Sequence, residues 1–217
     1  MKENRSLSGS IRWGITAFVL KYRLGPRYRH PAPLLDVKRA IRTVRRQAAE
    51  FGVSPRSIGV WGFSAGGHLA SSASTHFDAG DSDAVDPIDR ESSRPDFAVL
   101  AYPVITFRME YAHKGSLEHL LGKDPDPKLI EYLSSEKQVK RDTPPTFLFH
   151  TDADSSVPPE NSVLYYLALR QAGVPAELHV FERGPHGVGL AATNGSLSIW
   201  PQCLENWLNS RRWQQTR

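Results

Sequence analysis

Ser64 lies in a five-residue pattern that favours nucleophilic chemistry. The segment Gly62-Phe63-Ser64-Ala65-Gly66 fits G-x-S-x-G, follows the apolar run 57–63 and precedes a helix-compatible segment. This context predicts a sharp strand-to-helix turn that lifts the serine hydroxyl above the edge of a sheet. Glycine is expected at 62 and 66 because a side chain at either position would clash across so tight a turn. The first helical N–H, that of Ala65, would then face a developing oxyanion.

Two residues further along the chain could complete a proton relay with Ser64. Asp154 follows the apolar run 146–151 and His186 follows the run 176–182, so both would lie beyond the carboxyl ends of strands. Open α/β sheets place their sites at that edge, and the order Ser, Asp, His suits a triad. Ser64 would attack an acyl carbon, His186 would carry its proton to the leaving alcohol, and Asp154 would fix the imidazole tautomer. Read alone, the serine motif also fits an ordinary glycine-rich turn; the two partners make that alternative the weaker one.

Other acidic residues and histidines compete for these roles. Asp152 lies two residues from Asp154 and remains an alternative partner for the imidazole, with Asp154 favoured. We interpret His150 as a packed or hydrogen-bonded residue at a strand end rather than a catalyst, and we expect His68 to pack against a neighbouring strand. The remaining histidines lack a partner pattern and are interpreted as structural or exposed: His30, His76, His113, His119 and His179.

The apolar pattern predicts an α/β protein. From residue 15 onward, short continuous apolar runs alternate with longer amphipathic ones, which is typical of a mainly parallel sheet between two layers of helices. We expect strands at 15–22, 57–63, 97–102, 146–151 and 176–182, and helices at 33–51, 65–76, 159–172 and 196–209, the third closed by Gly173. A length of 217 residues favours a single domain, 1–217, in which 105–145 forms a small lid.

The formal net charge of +4 raises the question of a nucleic-acid partner. Much of the basic excess lies in the stretch 38–46, where apolar residues recur at helical spacing, and in a tail that contains Arg211, Arg212 and Arg217. We interpret the basic stretch as a solvated helix face rather than a phosphate-binding patch. No nucleic-acid partner is therefore expected.

The sequence lacks the motifs of common cofactor sites and membrane segments, so no metal or organic cofactor is expected. Cys203 is the only cysteine, which excludes an intrachain disulfide and a cysteine cluster for a metal. The acidic loop 77–94 lacks the glycine and distal glutamate of a calcium loop and is interpreted as solvated. No phosphate-cradling Gly-Lys-Ser/Thr or G-x-G-x-x-G motif occurs. The first apolar run, 15–20, is too short for a signal core or a membrane span, so we expect no membrane association and a cytoplasmic location.

Further motifs are spread over residues 15–208 and together carry a family resemblance: Phe63-Ser64-Ala65-Gly66-Gly67-His68-Leu69-Ala70, Tyr22-Arg23-Leu24, Arg94-Pro95-Asp96, Tyr102-Pro103-Val104, Pro144-Pro145-Thr146-Phe147, Asp154-x-x-Val157-Pro158 and Gly184-x-His186-Gly187. With them the chain resembles the acetyl esterase and acetylxylan-esterase-like α/β-hydrolases. The resemblance implies an α/β-hydrolase fold and hydrolysis of short acyl esters, acetyl groups on a carbohydrate among them, without metal or organic cofactor. It carries the triad over to Ser64, Asp154 and His186. Phe63 stands where hormone-sensitive-lipase-like relatives have an acidic residue, which makes the carbohydrate esterases the closer match.

The N-terminal part of the chain departs from this family pattern. Family members open with further strands and a His-Gly-Gly or Gly-Gly-Gly loop that completes the oxyanion hole, and residues 1–13 contain no such motif. One of the missing strands would normally lie between 15–22 and the nucleophile strand. We therefore expect an N-terminally truncated sheet that is rearranged or completed by another chain, which predicts a homo-oligomer through the N-terminal third.

Three functions fit these observations to different degrees. The favoured one is a serine carboxylesterase that acts on short acyl esters through an acyl-enzyme. The alternative from another class is a catalytically impaired hydrolase-fold protein with a binding or assembly role, which the missing oxyanion loop favours. A peptidase of the prolyl-oligopeptidase type shares the triad order, but the sequence has no propeller-sized segment.

Overall fold

Four apolar runs form one parallel sheet in the computed structural model, which describes residues 13–108, 110–191 and 195–211. The strands are β1 (Gly59–Phe63), β2 (Phe97–Ala101), β3 (Thr146–Thr151) and β4 (Ala176–Phe181). They lie in the order β1-β2-β3-β4, and each neighbouring pair is parallel, so all four end at the same edge of the sheet. The parallel sheet is confirmed for four of the five predicted strands. The polar start of the chain and the 212–217 part of the basic tail lie outside the described residues.

The helices of the described chain are α1 (Ala32–Arg46), α2 (Ala65–Thr75), α3 (Lys114–Leu121), α4 (Pro127–Tyr132), α5 (Glu160–Gln171) and α6 (Trp200–Ser210). The predictions at 65–76 and 159–172 agree to within one residue at each end. The predicted helix 33–51 stops at Arg46, and the one at 196–209 divides into a 3-10 helix, Gly195–Ile199, and α6. Across the residues that the structure describes, no helix combines the length and apolar character needed to cross a bilayer.

Gly173 terminates α5, as the sequence predicted. Its φ is +73°, its N–H donates to Arg170 O at 3.1 Å, and the N–H of Val174 donates to Leu169 O at 2.9 Å. This pair of bonds is the Schellman motif, in which glycine adopts the left-handed conformation without a steric penalty. Val174 and Leu169 then join the same core cluster, so the cap directs the chain towards β4.

Apolar side chains alternate between the two faces of the sheet. In β2, Ala98 and Leu100 belong to the core cluster that contains residues of α1, α2 and α5, whereas Val99 and Ala101 belong to the cluster that contains α6. In the second cluster the ring of Trp200 stacks on Phe149 of β3 with 4.5 Å between centroids. Helices thus cover both faces of the sheet, and the predicted three-layer α/β arrangement is confirmed.

The predicted strand at 15–22 is wrong. These residues have no regular secondary structure and belong to no ladder of the sheet. Alternating apolar residues provide strand propensity, but a strand forms only where a neighbour pairs with its N–H and C=O groups. Within the described chain, β1 pairs with β2 alone. Phe18, Val19 and Leu20 consequently remain 48%, 61% and 37% exposed.

The basic side chains of α1 face the acidic loop. Lys38, Arg42 and Arg45 have side chains that are only 17%, 16% and 10% exposed. The prediction of a solvated helix face is wrong for these three, because Asp78 and Asp89 of the acidic loop and Asp96 just after it carry their counter-charges. The ion pairs with the acidic loop are Lys38–Asp78, Arg39–Asp86, Arg39–Asp89, Arg42–Asp78, Arg42–Asp89 and Arg46–Glu91, and Arg45 pairs with Asp96, which follows that loop.

The segment 105–145, predicted as a small lid, contains α3, α4 and the 3-10 helix Ser135–Lys137. Phe107 and Leu133 are buried in a cluster of their own together with Val104 and Val157, and leucines of α3 and α4 pack around it. Val157 follows β3 in the chain. The segment therefore packs against the loop at the carboxyl edge of the sheet.

Candidate active site

Ser64 occupies a sharp turn between β1 and α2. Its φ is +53°, a region that residues other than glycine rarely adopt. The Ser64 N–H donates to Ala101 O at 3.1 Å, and the Ser64 carbonyl accepts from the N–H groups of His68 at 3.2 Å and Val104 at 3.1 Å. These bonds tie the turn to the end of β2 and to the first turn of α2. They hold the Ser64 side chain at the carboxyl edge of the sheet.

Close backbone approach requires two of the glycines around Ser64. A Cβ on Gly62 would overlap the backbone of Gly66 and Gly67, and a Cβ on Gly67 would lie 2.6 Å from the Cβ of Pro103. A Cβ on Gly66 would meet nothing within 4 Å. The expectation that a side chain at position 66 would clash is therefore wrong. Gly67 is the second position closed to a side chain, because α2 packs directly against the segment that follows β2.

Asp154 lies in the loop after β3 with its side chain fully buried (0% exposed). Its Oδ1 accepts from the backbone N–H groups of Ser156 and Val157, both at 2.9 Å. Its Oδ2 lies 2.6 Å from His186 Nδ1 and 3.4 Å from His150 Nε2. Burial by itself raises the pKa of this carboxyl, but the four donors outweigh burial and hold the pKa well below its usual range. Asp154 is thus an ionised carboxylate at neutral pH.

His186 bridges Asp154 and Ser64. Its Nδ1 lies 2.6 Å from Asp154 Oδ2, and its Nε2 lies 2.7 Å from Ser64 Oγ. Because an ionised carboxylate only accepts, Nδ1 carries the hydrogen and Nε2 is left to accept from the serine hydroxyl. The imidazole is 22% exposed, so a substrate can reach it. The structure brings the three residues together in the order that a proton relay needs.

Tyr102, at the end of β2, is a neighbour of His186 that the sequence analysis did not identify as a site residue. Its ring packs edge-to-face on the imidazole with 5.0 Å between centroids, and its hydroxyl accepts from Gly189 N–H at 3.1 Å. Burial raises the pKa of the phenol to about 12, so the hydroxyl stays protonated at neutral pH. The Tyr102-Pro103-Val104 motif was the signal that could have drawn attention to this residue.

His150 also contacts the site, through Asp154. It is buried, as the sequence predicted, with Nδ1 2.7 Å from Ser162 Oγ and Nε2 3.0 Å from Val157 O. Sequence reasoning missed the contact with Asp154 because a histidine at a strand end has no local pattern that distinguishes packing from a role at a site.

The remaining candidates lie elsewhere. Asp152 is exposed, and it is Asp154 that contacts His186. The ring of His68 lies beside Phe107 with 4.4 Å between centroids and bonds the Leu133 carbonyl at 2.8 Å, so its contacts are with the 105–145 segment rather than with a strand. Burial lowers the pKa of His68 to about 4, which keeps it neutral. His113 caps α3, where its Nδ1 accepts from Ser116 N–H at 3.1 Å.

Ala65 is the first residue of α2. The first N–H groups of a helix have no acceptor within the helix, and here the carbonyl of Ser64 first bonds the N–H of His68. The N–H of Ala65 is therefore suited to bind negative charge next to Ser64. Within 13–108, 110–191 and 195–211, no group of three or more His, Cys, Asp or Glu side chains is arranged to hold a metal ion.

The parallel sheet, the helices on both of its faces and the serine turn between β1 and α2 define the chain as an α/β-hydrolase. A family model named BD-FAE matches residues 3–169. The chain belongs to the BD-FAE family.

Individual relatives extend this assignment. The crystal structure of an acetyl ester-xyloside bifunctional hydrolase from Caldicellulosiruptor lactoaceticus is 52% identical with a TM-score of 0.93, over 95% of this chain and 75% of that one. An acetylxylan esterase of Xylanibacter ruminicola is 37% identical over 91% of this chain and 39% of that protein. Endo-1,4-beta-xylanase B of Butyrivibrio fibrisolvens is 41% identical over 82% of this chain and 28% of that protein. The chain thus spans less than half the length of these two curated relatives.

Proposed function

We propose that the chain is a serine carboxylesterase that hydrolyses short-chain acyl esters through Ser64, His186 and Asp154. The observation that carries this proposal is the pair of short contacts at His186, 2.7 Å from Nε2 to Ser64 Oγ and 2.6 Å from Nδ1 to Asp154 Oδ2. Similarity to proteins named as esterases supports it. The catalytically impaired alternative is not favoured, because the three side chains make the contacts that a proton relay needs.

In the proposed reaction, Ser64 Oγ attacks the acyl carbon while His186 Nε2 takes the hydroxyl proton. The N–H of Ala65 binds the charge that develops on the carbonyl oxygen. His186 then protonates the leaving alcohol, which leaves the acyl group on Ser64, and an activated water releases the acid by the same steps. Asp154 keeps the imidazole in the required tautomer and stabilises the imidazolium. The proposal requires no metal or organic cofactor.

An activated ester and a serine-directed organophosphate test the proposed nucleophile. The protein should hydrolyse 4-nitrophenyl acetate, and Ser64→Ala should lower kcat by about 10³-fold or more. The organophosphate should abolish turnover and modify Ser64, read by peptide mass spectrometry. Ser72→Ala, on the same helix, is the matched control and should retain turnover. Undiminished activity in Ser64→Ala, or labelling of another serine, would contradict the assignment.

We propose acetyl groups on carbohydrates as the substrate class. The relatives named acetylxylan esterase and acetyl ester-xyloside hydrolase support this class. The lid segment 105–145 also offers few long apolar stretches that could line a deep acyl tunnel. A series of nitrophenyl esters should peak at acetyl to butyryl, and acetylated xylan should release acetate. Highest activity on long acyl chains would contradict the proposal.

We infer that the chain forms a single domain in which 105–145 acts as a small lid. The side chain of Asn161 accepts from the N–H groups of Ile105 and Thr106, at 2.9 and 3.1 Å, and donates to Tyr111 O at 3.0 Å. In addition, the N–H of Val104 donates to the Ser64 carbonyl. These bonds fasten the start of the segment and its residue 111 to α5, directly after a residue that bonds Ser64. One domain should unfold in a single transition with the same midpoint by fluorescence and circular dichroism.

We also propose a homo-oligomer whose interface involves the N-terminal third. Among the described residues, β1 lies at an edge of the sheet, and the exposed apolar side chains of Phe18, Val19 and Leu20 belong to the same third of the chain. Open strand edges and exposed apolar patches are commonly covered by another chain. The cytoplasmic location expected from the sequence remains a prediction.

A further inference from the structure

His150 is a second histidine in contact with Asp154, besides the proposed catalytic base. It lies near the end of β3, and its side chain is completely buried (0% exposed). Its Nε2 is 3.0 Å from Val157 O and 3.4 Å from Asp154 Oδ2, and its Nδ1 is 2.7 Å from Ser162 Oγ on α5. Both ring nitrogens therefore have partners, and one of the partners is the carboxylate of the triad.

The chemistry of these partners assigns the hydrogen on the ring. The Val157 carbonyl and the Asp154 carboxylate are acceptors only, so Nε2 carries a hydrogen and directs it at both of them. The Ser162 hydroxyl can then donate to Nδ1. Held at both nitrogens, the ring cannot rotate without breaking one of these bonds.

The same histidine also orders the loop that holds the acid. Val157 donates its N–H to Asp154 Oδ1 and accepts from His150 with its carbonyl. The His150 imidazole thus contacts Asp154 Oδ2 directly. Through its bond to the Val157 carbonyl, it also holds in place the Val157 N–H that binds Asp154 Oδ1. A carboxylate that is fully buried needs such donors, because it has no water to replace them.

We propose that His150 is a positioning residue of the triad, which holds Asp154 in the orientation that His186 requires. The inference rests on the proposed esterase function. His150 does not touch substrate in this role. It acts through Asp154 and the 154–157 loop, so its loss should affect the chemical step more than substrate binding.

Two substitutions separate the two nitrogens of the ring. A glutamine places its amide N–H close to the position of Nε2, whereas an asparagine places its amide close to Nδ1. His150→Gln can therefore keep the contacts with Val157 and Asp154, and His150→Asn can keep only the contact with Ser162. With 4-nitrophenyl acetate, His150→Asn should lower kcat by about 10-fold to 100-fold with KM within about twofold, and His150→Gln should recover most of the loss.

His68→Asn is the matched control. His68 is also a buried histidine bonded to a backbone carbonyl, at 2.8 Å from Leu133 O, but its side chain makes no described contact with Asp154 or His186. The control should lower the midpoint of urea unfolding and leave kcat per folded molecule within about twofold.

If His150→Asn does not fold, Ser162→Ala replaces it: release of Nδ1 should lower kcat by about threefold to tenfold with KM unchanged.

A spectroscopic measurement distinguishes failure of this inference from failure of the proposed function. In the Ser64→Ala background, the low-field proton resonance of the hydrogen bond between His186 Nδ1 and Asp154 should shift on adding His150→Asn and stay in place with His150→Gln. If the unsubstituted protein shows no esterase activity but His150→Asn still shifts this resonance, the proposed function fails and the positioning role of His150 stands. Equal loss of kcat in both His150 variants, an equal loss in His68→Asn, or an unmoved resonance would overturn the inference.

Discussion

Three residues other than glycine have positive φ in the described part of the chain, and two of them contact His186. They are Ser64 at +53°, Tyr102 at +38° and Ala191 at +49°. Ser64 and Tyr102 contact the imidazole, and Ala191 lies in the loop that carries it. Such conformations cost about 1–3 kcal/mol each and persist only where the surroundings enforce them. For Ser64 and Tyr102 the ends of β2 and β3 do so: the Ser64 N–H donates to Ala101 O at 3.1 Å, and the Tyr102 N–H donates to Phe149 O at 2.6 Å.

The two aspartates after β3 provide a direct comparison. Asp154→Asn should lower kcat by up to about 10⁴-fold, because an amide can hold the imidazole in the wrong tautomer. Asp152→Asn should change kcat by less than about threefold, since its side chain is exposed. Steady-state hydrolysis of 4-nitrophenyl acetate measures both. Equal losses of kcat, or a larger loss in Asp152→Asn, would show that Asp154 is not the acid of the triad.

Tyr102→Phe isolates the hydrogen bond to Gly189. The ring would still pack on His186, but the loop would lose an acceptor for the Gly189 N–H, a bond worth about 0.5–1.5 kcal/mol. We expect kcat to fall by about threefold to tenfold with little change in KM. Tyr165→Phe is the control, because the buried hydroxyl of Tyr165 has no hydrogen-bond partner among the described residues. A loss of kcat in Tyr165→Phe as large as that in Tyr102→Phe would contradict a specific effect on the His186 loop.

At the scale of elements, paired charges fasten α1 to the loop that leads into β2. Arg45 is the most buried of the basic residues involved: it donates to the carbonyls of Pro55 and Arg94 at 3.0 and 2.9 Å and to the Asp96 carboxylate at 3.1 Å. Asp96 in turn accepts from Ile58 N–H at 2.8 Å, immediately before β1. The network therefore aligns α1 with the segment that leads into β1 and Ser64.

Two neighbouring arginines should differ in their contribution to stability. Arg45→Gln should lower the free energy of unfolding by about 1–3 kcal/mol, because it leaves several partly buried acceptors unpaired. Arg46 is 55% exposed and lies 3.7 Å from Glu91, so Arg46→Gln should cost less than about 1 kcal/mol. Urea unfolding at low ionic strength measures both values. Equal losses in the free energy of unfolding would show that the buried contacts of Arg45 do not add to stability.

At the scale of the whole molecule, the strand that leads into Ser64 lies at an edge of the sheet that the described residues form. β1 has β2 on one side, and the apolar segment 15–22 forms no ladder with it. The turn that holds Ser64 is consequently fastened from the β2 side, by the bonds of Ser64 to Ala101 and Val104. Contacts made along the open edge would therefore act close to the site.

Sedimentation velocity at micromolar concentration tests the proposed oligomer. We expect a species larger than the 24.2 kDa monomer, because burying the exposed apolar side chains of segment 15–22 is favourable. Val19→Lys should shift the protein towards monomer. Val85→Lys is the control: Val85 is 96% exposed but lies in the acidic loop, so this variant should leave the mass unchanged. A monomer at every concentration would contradict the proposal.

The sequence by itself determined the four continuous apolar runs of the parallel sheet, the glycine cap of α5 and the candidate set Ser64, Asp154 and His186. Each of these depends on a local signal: a run of apolar residues, a turn residue, or a short motif after a strand. Only the tertiary structure decided that Asp154 rather than Asp152 meets His186, that His150 contacts the acid, that α1 pairs with the acidic loop, and that 15–22 forms no strand. These outcomes depend on which distant segments come into contact, and a local pattern encodes the propensity of a segment but not the identity of its partner.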